Sequence, residues 1–123
     1  MKSARIGRSI AEITQARVQR DPEFARALLQ EVVRALLADD VAVARSLIRD
    51  VIKGSIGYAE LSRRTGTPEK SLVRMFGVNG NPTAANLFAV LTHLQQYSGI
   101  KFQVATVRSP ARKRSHSASH AVT

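Results

Sequence analysis

The chain has 123 residues, a formal net charge of +10, 44% hydrophobic residues, no Cys and no Trp. Its length suits one domain and its apolar share supplies a core, which excludes a wholly disordered polyelectrolyte. The lack of Cys excludes a disulfide framework and a thiolate metal site, and two Tyr with four Phe are few for the stacking platforms of a single-strand or RNA binder.

The positive charge lies at the two ends. Residues 1–20 carry five bases against one acid, the stretch from Arg108 onward carries four bases and no acid, and residues 21–107 hold ten bases and eight acids. Basic ends on a near-neutral domain raise phosphate affinity by releasing counterions, so nucleic acid is a better-supported partner than none, the alternative being that the ends serve solubility alone. No apolar run approaches the roughly 18–20 residues of a membrane span, and Met1–Glu12 has no continuous apolar stretch of the secretory kind. A cytoplasmic protein without membrane partners is expected.

In chain order, Ile6, Ile10, Ile13 and Ala16 recur at helical spacing and predict a short amphipathic helix over about 8–19 within a basic arm, residues 1–20. Asp21-Pro22 starts a second helix, with Asp21 as N-cap and Pro22 at the first position. Phe24, Ala27, Leu28, Val32, Ala35 and Leu36 trace its apolar face to about Ala38. Asp39-Asp40 predicts a turn and the cap of a third helix, whose face is Val41, Ala44, Ile48, Val51 and Ile52 and whose expected stop is Gly54.

Two short helices follow with almost no loop. The first spans about Tyr58–Thr65, and Gly66 suits a left-handed C-terminal residue. Thr67 is the expected cap of the second, about 68–76, with Pro68 at its first position and Leu61, Leu72, Val73 and Phe76 facing the core. After the polar loop Val78–Pro82, a longer helix is predicted over about 83–97, with Leu87, Val90, Leu91 and Leu94 inward, Phe88 alongside and Gly99 as its end. Alternation over Lys101–Val107 predicts a short strand. Residues 108–123 are Ser, Ala, His and bases with little else, and are expected to form a disordered basic tail. The expected fold class is therefore all-α, with a domain over 21–107.

Helix, tight turn and helix is how a reading helix is braced in the DNA major groove, the first helix crossing the backbone and the second offering its side chains to bases. The second helix here offers Thr67, Glu69, Lys70, Ser71 and Arg74. Arg74 is suited to bidentate pairing with guanine, Lys70 to guanine or phosphate, and Glu69 to a cytosine amine. Arg63 and Arg64 on the preceding helix suit phosphates, which position without specifying sequence. Asn79 and Asn81 follow in the loop, and Thr83 opens a helix whose dipole favours a phosphate. Each has an ordinary alternative. Arg63 and Arg64 also fit a solvated face, Glu69 and Lys70 a helix start, and Asn79-Gly80-Asn81 plain turn chemistry.

The stretches Asp21-Pro-Glu-Phe, Leu-Ile-Arg-Asp50, Ala-Glu-Leu61, Arg-Thr-Gly66, Lys-Ser-Leu72-Val-Arg-Met and Gly80-Asn-Pro-Thr83-Ala-Ala-Asn-Leu87-Phe resemble the phage-repressor-like helix-turn-helix proteins called addiction-module antidotes. The similarity covers about residues 9–105 and is densest at 57–88. It implies a repressor-like DNA-binding domain with an added N-terminal helix, and a homodimer on a palindromic site. It further implies an antitoxin that represses its own operon beside a small RelE/HigB-like toxin. At Thr67-Pro68 the chain departs from the family's usual small or apolar residue and Ser.

Material for catalysis is poor. His116 and His120 lie in the expected tail, His93 stands alone on a helix, and Asp39-Asp40 has no suitably spaced third ligand. No nucleophile-turn motif accompanies Ser46, Ser62 or Ser71. The expectation is a transcriptional regulator without enzymatic activity or cofactor. The competing readings are a toxin-neutralising interaction module using helices 22–38 and 41–53, and a solitary phage-type or nucleoid-associated protein that binds mainly through its basic ends.

Overall fold

Helices begin where a short polar side chain takes an orphan backbone amide. A computed structural model, which describes residues 9–110, shows this at four starts. Helix α1 (Ile10–Arg20) opens with a capping box: the Ser9 hydroxyl accepts from the Glu12 amide at 3.0 Å, and the Glu12 carboxylate accepts from the Ser9 amide. The Asp21 carboxylate caps α2 (Pro22–Leu37) through the Phe24 amide, Asp40 caps α3 (Val41–Gly54) through Val43, and Thr83 caps α6 (Ala84–Ser98) through Asn86. Between them lie α4 (Tyr58–Thr65) and α5 (Glu69–Met75), neither with a side-chain cap. The regular structure of the described residues is all-helical, as the expected all-α class has it, without the expected strand.

The core gathers Leu29, Val32 and Ala35 of α2, Ala44, Ile48, Val51 and Ile52 of α3, Ile56, Leu61 of α4, Leu72 and Phe76 around α5, and Leu87, Val90, Leu91 and Leu94 of α6. Helix α2 packs on α3, α4 contacts α3, α5 and α6, and α1 lies against α2 and α3. Ala27, expected inward, is exposed, and Leu29 takes the core position. Phe88 is also exposed. Ile6 and residues 111–123, most of the expected basic tail, lie outside the described residues.

Two expectations fail for identifiable reasons. The apolar face read for α1 is turned to solvent, with Ile10 81% and Ile13 53% exposed. What sets the rotation of α1 is a close crossing with α3. Gly54 ends α3 buried against it, and a Cβ there would lie 2.5 Å from the Gln15 carbonyl oxygen and 2.7 Å from Val18 Cβ. On the same face, Gln15 Nε2 donates to Oδ1 of buried Asp50 at 2.9 Å. Gly54 therefore acts less as a stop than as the surface that admits α1; the C-cap is Ser55. A close approach and a satisfied buried carboxylate outweigh two isoleucines that find no partner.

The second failure is the strand. Residues 101–107 form no regular structure, and Val104 and Val107 stand almost fully exposed. A strand needs a partner to take its amides and carbonyls, and none is present among the described residues. Instead the Phe102 amide donates to Gln95 Oε1 at 3.1 Å, and its ring rests partly buried on the core. Among the described residues no helix is long and apolar enough to cross a membrane.

Replacing Gly54 by Ala should force α1 outward. We expect a loss of about 1–3 kcal/mol in chemical denaturation, with faster amide exchange concentrated in α1.

Candidate nucleic-acid interface

Helices α4 and α5 are joined by only Gly66, Thr67 and Pro68. The chain reverses at Gly66, whose φ of 78° is the left-handed conformation that suits glycine, and its amide donates to the Ser62 carbonyl at 2.9 Å. Hydroxyls tie the rest of the turn. Ser62 Oγ donates to the Thr67 carbonyl at 2.6 Å, while Thr65 Oγ1 donates to the Leu61 carbonyl and accepts from the Thr67 amide.

Thr67 is not the cap that its type predicts. Pro68 holds the N-cap position, its carbonyl accepting from Ser71 and Leu72, so α5 runs over 69–75 rather than 68–76. The residue before a proline is pushed away from the helical region, and here its backbone is already engaged by Ser62 and Thr65.

Leu72 and Phe76 enter the core one turn apart, with 1% and 0% exposure. That leaves Glu69, Lys70, Val73 and Arg74 facing out, where with Pro68 they line one shallow, open concavity. Val73, expected in the core, is 47% exposed. Thr67 and Ser71, expected at the surface, are half-buried. The expected set thus converges on Glu69, Lys70 and Arg74, with Val73 added. Nothing in its residue type could place Val73 outward, since a seven-residue helix is too short for periodicity to choose between adjacent apolar positions.

Charge pairing separates the cations. Glu60 takes hydrogen bonds from Arg63 and from Arg64, the Nε distances being 2.9 Å in both cases. The guanidinium of Arg64 also lies 5.5 Å from the centre of the Tyr97 ring. Among the described residues, Lys70 and Arg74 have no salt-bridge partner.

The loop after α5 is pinned from a distant helix. Arg45 of α3 donates from Nη1 to the Gly80 carbonyl at 3.0 Å. Gly80 itself is pressed on the end of α5, so a Cβ there would meet the Met75 carbonyl oxygen at 2.0 Å. Asn79 and Asn81 are exposed around this point, Pro82 is buried, and Thr83 spends its hydroxyl on the α6 cap. None of Asn79, Asn81 and Thr83 lines the α5 concavity. Gly80 reads from sequence as turn chemistry, whereas Arg45 is not singled out there, because a contact across 35 positions leaves no local pattern.

Two buried polar atoms lie elsewhere without a hydrogen-bond partner among the described residues, the Tyr58 hydroxyl and His93 Nδ1. Burial pushes the Tyr58 phenol up to about 12, with the Asp50 charge acting the same way and Arg49 opposing it. Among the described residues, no group of three or more His, Asp or Glu side chains is arranged to hold a metal ion. Comparison with protein-family models, curated proteins and solved structures gives no match for this chain.

Hydrogen bonds from Arg63 and then Arg64 hold the Glu60 carboxyl down to about 2, against an ordinary value of 4.5. A depressed folded value means that these pairs contribute fully above about pH 4.5 and fade as pH falls towards 2. Carboxyl-carbon NMR should show Glu60 titrating near the lower value, and an ordinary midpoint would refute the pairing.

Proposed function

We propose that this chain is a sequence-specific double-stranded DNA-binding transcriptional regulator of the helix-turn-helix type, with α5 as its reading helix. The observation that carries this reading is a three-residue turn set beside two cations, Lys70 and Arg74, that no described acid neutralises. An α-helix with its side chains is about 10–12 Å across, which suits a major groove about 12 Å wide. Arg74 takes guanine bidentately, Lys70 takes guanine or phosphate, and Glu69 accepts from cytosine. Arg63 and Arg64 retain N–H donors beyond those given to Glu60 and take phosphates, which set register.

The resemblance to addiction-module antidotes supports a more specific role, a cytoplasmic antitoxin that represses its own operon as a dimer on a palindromic site. A RelE/HigB-like toxin is then the protein partner, and no cofactor is required. A toxin-neutralising module that touches DNA only incidentally is the second reading. It is favoured by the uncovered Leu37 and Val43 at the α2–α3 corner, 84% and 45% exposed.

Footprinting on the DNA upstream of the gene tests the first reading, and equal binding to that DNA and to scrambled duplex at matched salt overturns it. Within it, Arg74→Ala should cost about 1–3 kcal/mol and relax preference at one base position. Arg64→Ala should weaken all sequences alike and lower the salt slope by about 1.

A further inference from the structure

Val73 is the apolar side chain on the outward face of α5. It stands three and four residues after Lys70 and Glu69 and next to Arg74, and the four share the open concavity with the Pro68 ring. It is 47% exposed, while Leu72 and Phe76 on the other face are buried. Its isopropyl group therefore does little for the core. A β-branched residue is also a weaker helix former than the straight-chain polar residues usual on an exposed face.

We propose that Val73 reads the 5-methyl group of a thymine, in the same half-site as the guanine assigned to Arg74. This rests on α5 being the reading helix. Thymine alone among the four bases presents a methyl group in the major groove, and an apolar side chain recognises it by excluding water from both. The setting is complementary. The Pro68 ring and the Val73 isopropyl supply an apolar surface, and the Lys70 and Arg74 cations flanking it attract the phosphates and guanine acceptors of the same groove.

Deoxyuridine differs from thymidine only by that methyl group, so it isolates the contact. A binding site is first selected from a random duplex library with the full-length protein, and each thymidine in it is then replaced singly by deoxyuridine. One replacement per half-site should weaken the wild-type protein about three- to tenfold. Val73→Ala should lose most of that sensitivity at the same position and keep its preference at the guanine read by Arg74. Val73→Thr, which retains a methyl group, should restore part of it. Indifference of the wild-type protein to every replacement overturns the assignment, as does a Val73→Ala variant that keeps the full penalty, the result expected if Val73 instead faces a protein partner. Failure to enrich any sequence overturns the DNA-reading proposal itself and this one with it, so the two failures are distinguishable.

Discussion

The burial of Leu72 and Phe76 in one core with Leu61 is the constraint on which the rest of the candidate surface depends. Two large side chains four residues apart occupy the same helical face, so anchoring them leaves α5 no rotational freedom. Positions 69, 70, 73 and 74 then face outward. The tight turn at Gly66 serves the same end, bringing Leu61 of α4 and Leu72 of α5 into one core across a three-residue connection. Core packing therefore presents the outward face of α5 on a pre-organised backbone, so that binding a rigid partner would cost mainly side-chain entropy.

Two places where no Cβ fits organise the flanks of this unit. Gly54 lets α1 settle on α3, and Gly80 lets the loop after α5 close on the carbonyls that end it. Each close approach is accompanied by a longer-range polar contact, Gln15 to Asp50 at the first and Arg45 to the Gly80 carbonyl at the second. A close approach contributes dispersion contacts and excludes water, and the hydrogen bond selects one register among similar packings. Helix α3 supplies one partner to both contacts and so links the N-terminal helix to the far end of the α4–α5 unit.

Electrostatics divides the cations of that unit into two kinds. Arg63 and Arg64 share the Glu60 carboxylate, and Arg64 also packs towards the Tyr97 ring. Such cations are held in place with part of their charge already answered, which suits positioning against a backbone. Lys70 and Arg74 make no salt bridge among the described residues and share an open surface with Glu69 and an exposed valine. Within the proposed DNA-reading role, a surface that mixes charge with apolar area would suit base edges better than phosphates alone, since base edges are themselves mixed.

The sequence by itself determined the helices, because caps and breakers act within a few residues. Asp21-Pro22, Asp40, Gly66 and Gly99 place ends within one or two positions of where they lie, whereas the Ser9–Glu12 capping box of α1 emerged only in the structure. Of the five residues it offered on the second short helix, Thr67, Glu69, Lys70, Ser71 and Arg74, the three charged ones are exposed and the two hydroxyl residues are half-buried. What only the tertiary structure decided was rotation and long-range contact. Ile10 and Ile13 read as an inward face until the glycine crossing and the Asp50 hydrogen bond turned α1 the other way. Val73 reads as core until Leu72 and Phe76 claim the inward side. The alternation over 101–107 reads as a strand, but a strand requires a neighbour to pair with, and no local pattern can supply one. Local chemistry sets where an element begins and ends; which of its faces is buried depends on partners far away in the chain.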